Sequence, residues 1–87
     1  MASYEVRLTR SARKELGAVD SRHDRSQLVA AMERLASNPR PVGSVKLATS
    51  DSTYRIRVGN YRVIYEVLDK LLVVDVIRIG HRRDVYR

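Results

Sequence analysis

Tyr54-Arg55-Ile56-Arg57-Val58-Gly59-Asn60-Tyr61-Arg62-Val63-Ile64-Tyr65 decides how this chain folds. Runs of β-branched, aromatic and basic residues alternate on either side of Gly59-Asn60, which predicts a β-hairpin closed by a two-residue turn. Such a turn fixes the register: Val58 faces Tyr61, Arg57 faces Arg62, Ile56 faces Val63, and Arg55 faces Ile64. Side chains alternate with period two, so Arg55, Arg57 and Arg62 share one face. Like charges directly opposite each other weaken a sheet. A hairpin that keeps them there offers a place to an anion.

Upstream, residues 3–9 alternate Tyr4, Val6 and Leu8 with Glu5, Arg7 and Thr9, which predicts a first strand. Thr9 or Ser11 can cap a helix whose inner face carries Ala12, Leu16 and Val19. Gly17 keeps that helix short. A connection over residues 20–23 leads to a second helix at 24–37, with Leu28, Val29, Met32, Leu35 and Ala36 as its apolar stripe. Asn38-Pro39 stops it. Residues 39–44 form a loop, and Val45-Lys46-Leu47 a short extended piece.

Downstream, a turn at Asp69-Lys70 leads into an apolar strand over residues 71–79, ending at Gly80. With Leu68 opposite Leu71, the core face takes Leu72, Val74 and Val76 beside the inward residues of the hairpin. The other face takes Val73, Asp75, Ile77 and Ile79, and a turn longer than two residues would change this register. The layout is one α+β domain over residues 1–87: strand, two helices, antiparallel β-meander. The last strand ends beside the Gly59-Asn60 turn. His81, Arg82, Arg83 and Tyr86 therefore emerge next to Arg57 and Arg62, a suitable grouping for a phosphate.

Composition bounds the function. The chain has 87 residues, 17 Lys and Arg against 10 Asp and Glu, and no Cys. A formal net charge of +7 favours a polyanion or an acidic protein as partner. Without Cys and with two His, neither disulfides nor a metal cofactor is expected. No apolar run has the length of a membrane span, and residues 1–7 lack a signal-peptide core. The expected location is the cytoplasm.

At the hairpin, and at Val76-Ile77-Arg78-Ile79-Gly80-His81-Arg82-Arg83-Asp84-Val85-Tyr86, the chain resembles the RelE/ParE superfamily of bacterial toxins from toxin–antitoxin modules. The opening strand, Ser11-Ala12-x-Lys14-x-Leu16 and the Asn38-Pro39 stop extend the likeness over essentially the whole chain. The resemblance implies a RelE-like, microbial-ribonuclease-like fold. It also implies an acidic RelB-like antitoxin that wraps the toxin in a hetero-oligomer. For the RelE branch it implies ribosome-dependent cleavage of mRNA in the A site; for the ParE branch, inhibition of DNA gyrase by binding, without nuclease activity.

The RelE pattern is matched by Arg55 and Arg57 before the turn, Arg62 after it, Arg82 after Gly80-His81, and Tyr86 near the end. Arg stands at 55 and 57 where Lys is often found, and a permanently charged guanidinium suits charge stabilisation better than proton donation. On this reading Tyr86 is the base, its phenol lowered by nearby arginines. Arg62 and Arg82 hold the scissile phosphate, and His81 is a candidate acid. Arg55, Arg57, Arg83 and Lys46 bind substrate. The plainer alternatives are a tail tyrosine that only packs, a structural His81, and ion pairs from Arg57 and Arg62 to Glu66 or Asp75. A fold retained only to bind antitoxin is a third functional alternative.

Overall fold

The computed structural model of the chain describes residues 3–81. Its elements are β1 (Glu5–Leu8), α1 (Arg10–Gly17), α2 (Arg22–Arg34), β2 (Val45–Lys46), β3 (Thr53–Val58), β4 (Tyr61–Leu68) and β5 (Val73–His81). They build one five-stranded sheet in the order β1-β5-β4-β3-β2. The meander β2 to β5 is antiparallel, and β1 adds parallel to β5. None of the described helices is long and apolar enough to cross a membrane.

Local chemistry sets the helix boundaries. Thr9 caps α1, its Oγ1 accepting from the Ala12 amide at 3.2 Å. Ser21 caps α2, accepting from the Asp24 amide at 3.1 Å. The second helix thus starts at Arg22, two residues before the expected 24, and takes in His23. Ser21-Arg22-His23-Asp24 is the start signal: a capping hydroxyl followed three residues later by a carboxylate. The regular helix ends at Arg34. Leu35, Ala36 and Ser37 turn more tightly, each amide bonding three residues back.

The helices cover one face of the sheet. Ala12, Val19, Leu28, Ala31, Met32 and Leu35 meet Ile56, Val63, Tyr65, Val67, Val74, Val76 and Ile79 in one buried cluster. The buried stripe of α2 is 28, 31, 32 and 35, whereas Val29 is exposed. The stripe is centred one position away from that expected, with Ala31 in place of Val29.

The β4–β5 register corrects the sequence reading. Leu68 pairs with Val73, not Leu71, because the chain spends four residues reversing: a 3₁₀ turn over Asp69–Leu71, then Leu72 at φ 54°. Leu72 is exposed rather than core. The register then shifts once more between Ile64 and Tyr65: Tyr65 pairs with Val76, but Ile64 pairs with Arg78. One extra residue in β5 reverses its alternation. Ile79 therefore enters the core, 2 % exposed, rather than facing away from it.

At the end of the sheet remote from Gly59, the buried Tyr65 hydroxyl donates to the Pro39 carbonyl at 2.7 Å. Arg40 makes two bonds to Asp69, at 2.7 and 3.3 Å, and donates from Nε to the Tyr54 hydroxyl. Tyr4 donates to Asp69 at 2.6 Å. Arg40 and then Tyr4 hold the Asp69 carboxyl below its ordinary value. This exposed group adds little to stability.

Burial pushes the Tyr65 phenol up to about 12. The unfolded tyrosine loses its proton first, so Tyr65 stabilises the fold fully below pH 10.0 and progressively less up to about 12. Tyr65→Phe should cost about 1–3 kcal/mol at neutral pH, because the Pro39 carbonyl loses its donor. Urea unfolding should also show a shallower alkaline loss of stability in this variant than in the parent; equal slopes would remove Tyr65 as the cause.

Candidate functional site

Gly59 takes φ +60°, while Asn60 is not among the positive-φ residues. Glycine at the first central position permits a two-residue reversal whose twist matches the strands. The register is the expected one: Val58 with Tyr61, Arg57 with Arg62, Ile56 with Val63, Arg55 with Ile64. On its other side Arg62 pairs with Gly80. Arg57, Arg62 and Gly80 thus form one row across three strands, on the face away from the helices. Arg55 stands two residues along, and Val45 of β2 lies opposite it.

The three arginines, with Gly43, Val45 and Ile56, line a cleft of about 260 Å³. Arg57 is exposed, whereas Arg62 is only 3 % exposed. The two carboxylates expected as neutralisers are engaged elsewhere. Glu66 accepts from the Ser52 hydroxyl at 3.0 Å, and Asp75 lies 3.8 Å from Arg7. Arg57 contacts no carboxylate among the described residues. A cleft lined by three arginines on one face is suited to phosphate, whose oxygens accept from planar forks of donors.

Other candidates fall elsewhere. His81 pairs with Tyr61, one step out of phase with the arginine row. It lies on the helix side, its ring edge-to-face with Tyr61 at 5.6 Å and 70°. Lys46 pairs with Tyr54, on the opposite face from Arg55, and its Nζ is 4.0 Å from Asp51. The fold does not bring these two into the cleft. Arg82, Arg83 and Tyr86 lie outside the described residues. Sequence reasoning missed Gly43 and Val45 as cleft walls. The pairing of β2 with β3 brings them there, and a two-residue strand carries too little pattern to announce its partner. Among the described residues, no group of three His, Asp or Glu side chains could hold a metal.

A family model described as the ParE toxin of the type II toxin–antitoxin system, parDE, matches residues 6–86. The chain belongs to the RelE/ParE toxin superfamily. Among relatives of this superfamily, toxin RelG of Mycobacterium tuberculosis is 32% identical over 84 residues, covering 97% of each chain. The RelBE2 toxin–antitoxin complex of the same organism contains a chain similar at TM-score 0.80 and 27% identity, over 94% of each. The archaeal RelE–RelB complex of Pyrococcus horikoshii gives TM-score 0.82 and 26% identity, over 92% of this chain and 96% of that one. The protein is thus a toxin of a type II toxin–antitoxin module, with a RelE-like fold.

The arginine cleft predicts anion-linked stability. At fixed ionic strength, phosphate should raise the melting temperature of the parent protein, since a ligand of the native state stabilises it by mass action. Arg57→Ser should at least halve that rise. In phosphate-free buffer the same variant should be as stable as the parent or more so, by up to about 1 kcal/mol, because the like-charge pair is gone. A full phosphate response in Arg57→Ser would exclude Arg57 from the anion site.

Proposed function

We propose that the chain is a ribosome-dependent endoribonuclease that cleaves mRNA in the A site. The observation that carries this reading is the cleft lined by Arg55, Arg57 and Arg62, three arginines on one face of the sheet. In the reaction the substrate 2′-hydroxyl attacks the adjacent phosphorus. The phosphorus–O5′ bond breaks and the leaving oxygen takes a proton from water, leaving a 2′,3′-cyclic phosphate and a 5′-hydroxyl. The developing negative charge on the phosphorane needs fixed cations, which guanidinium groups supply without reorganisation.

Arg62 and Arg82 hold the scissile phosphate, Arg55 and Arg57 neutralise developing charge, and Arg83 contacts the flanking backbone. Tyr86 takes the 2′-hydroxyl proton. His81, on the far side of the sheet, has no support here as the acid for O5′, and Lys46 has none as a phosphate contact.

The scarcity of stacking surface supports dependence on the ribosome. The chain has five Tyr and neither Trp nor Phe. Tyr54 and Tyr65 are stacked on each other at 6.0 Å, and Tyr61 packs against His81. Few rings remain to splay single-stranded bases, so substrate placement has to come from elsewhere.

A groove of about 510 Å³ on the helix side supports an antitoxin partner like those in the similar RelB complexes. Ala31, Ile56 and Val58 give it an apolar floor, and Arg34 gives it a basic side. That combination suits an amphipathic, acidic segment.

The ParE description of the matching family model favours a second reading, inhibition of DNA gyrase by binding. Toe-printing in a translation extract separates the two. The endoribonuclease produces new mRNA ends at the A-site codon. Arg62→Ala and Arg82→Ala should each lower cleavage on the order of 100-fold, the scale of losing one transition-state donor. Circular dichroism should confirm that the near-buried Arg62 position tolerates the change. Unaltered cleavage in both folded variants sinks the site assignment. Cleavage complexes on supercoiled plasmid with gyrase, and no mRNA ends, would establish the ParE reading instead.

A further inference from the structure

The extra residue in β5 decides where the chain stands as it reaches the candidate site. If the pairing of Tyr65 with Val76 continued without interruption, Arg62 would face Ile79 and Val63 would face Arg78. A charged side chain would then point into the core. Instead Ile79 pairs with Val63 and is buried, and Gly80 pairs with Arg62. Gly80 presents no side chain beside Arg62.

A bulge breaks ladder bonds and needs other partners. Here α1 supplies them. β1 stops at Leu8, opposite Val76, which leaves the outer edge of β5 unpaired by any strand from there on. The Thr9 amide donates to the Val76 carbonyl at 3.0 Å, and the Thr9 hydroxyl donates to the Ile77 carbonyl at 3.0 Å. Glu15, one turn and a half further along α1, places both carboxylate oxygens on the same edge. Oε1 accepts from the Ile79 amide at 2.8 Å, and Oε2 accepts from Arg78 Nε at 2.9 Å. A carboxylate receiving a backbone amide and a guanidinium at once makes two charge-assisted bonds.

We infer that Glu15 is a positioning residue: its carboxylate clamps the bulged register of β5 and thereby aligns Gly80 with Arg62. It touches no substrate and acts through the Ile79 amide. Its effect on cleavage rests on the endoribonuclease reading; its effect on register does not.

Three variants test this in the full chain. Glu15→Ala removes both bonds. Glu15→Gln keeps an oxygen for the Ile79 amide and loses the charge. Arg78→Ala removes the ion pair and leaves the amide bond in place. In Glu15→Ala, hydrogen exchange at the Ile79 amide should accelerate at least 10-fold, and the cross-strand NOE between Arg62 and Gly80 should weaken. Amides of β3 should keep their protection. Toe-printing should show kcat down at least 10-fold with little change in the ribosome concentration at half-saturation. Glu15→Gln and Arg78→Ala should stay within about 3-fold of the parent.

Unchanged Ile79 exchange and an intact Arg62–Gly80 NOE in Glu15→Ala would overturn the clamp. Full cleavage in a variant whose register is lost would overturn its positioning role. If the parent itself cleaves no mRNA, the endoribonuclease reading fails, and the exchange and NOE measurements still decide the clamp. Should Glu15→Ala not fold, an Ile79 exchange rate and kcat in Glu15→Gln as impaired as those of a Thr9→Val, Glu15→Gln double variant would overturn the inference, because the amide oxygen was expected to suffice.

Discussion

The positive φ of Gly59 lets β3 reverse into β4 within two residues, and every contact across the meander inherits that reversal. With the turn so short, β4 cannot slip, and a slip of one residue would move Val63 and Tyr65 out of the core together. The burial of those two side chains, with Ile56 opposite Val63, therefore holds the outward set in place as well. Arg57 faces Arg62 because the apolar residues beside them must face inward. The core carries the electrostatic cost of the arginine row, and the cleft exists because the row cannot relax by changing register.

The hairpin, the order of elements and the α+β class were legible in the sequence, since each rests on local chemistry: a Gly-Asn turn, period-two alternation, capping hydroxyls and Asn38-Pro39. What escaped detection depended on tertiary packing. The four-residue reversal ending at Leu72 has no glycine to announce it. The bulge at Ile77 is invisible to periodicity, because Val73, Val74, Val76, Ile77 and Ile79 are apolar on both faces and fit either alternation. The parallel pairing of β1 with β5 joins segments more than sixty residues apart, and nothing local in either strand selects the other.

The site divides in the same way. Arg55, Arg57 and Arg62 followed from the hairpin alone and stand together in the fold. Proximity to the turn predicts His81 on the arginine side, but the alternation after the bulge carries it to Tyr61. Lys46 was lost to the same period-two logic, since Val45 rather than Lys46 shares a face with Arg55. Glu15 gave no sign at all: a glutamate on a short helix reads as solvated surface, and only the missing neighbour strand beyond Leu8 gives it a task.

The strand order has a consequence for synthesis. β5 lies between β1 and β4, yet it is the last described strand to be made. Until residues 73–81 have emerged, β1 has no neighbour and β4 has one open edge, so the sheet cannot close while the chain is growing. The arginine row is completed by Gly80, near the end of that strand. A growing chain that still lacks β5 has Arg57 and Arg62 side by side but not the third strand of their row, so the candidate site takes its final form only when β5 docks between β1 and β4.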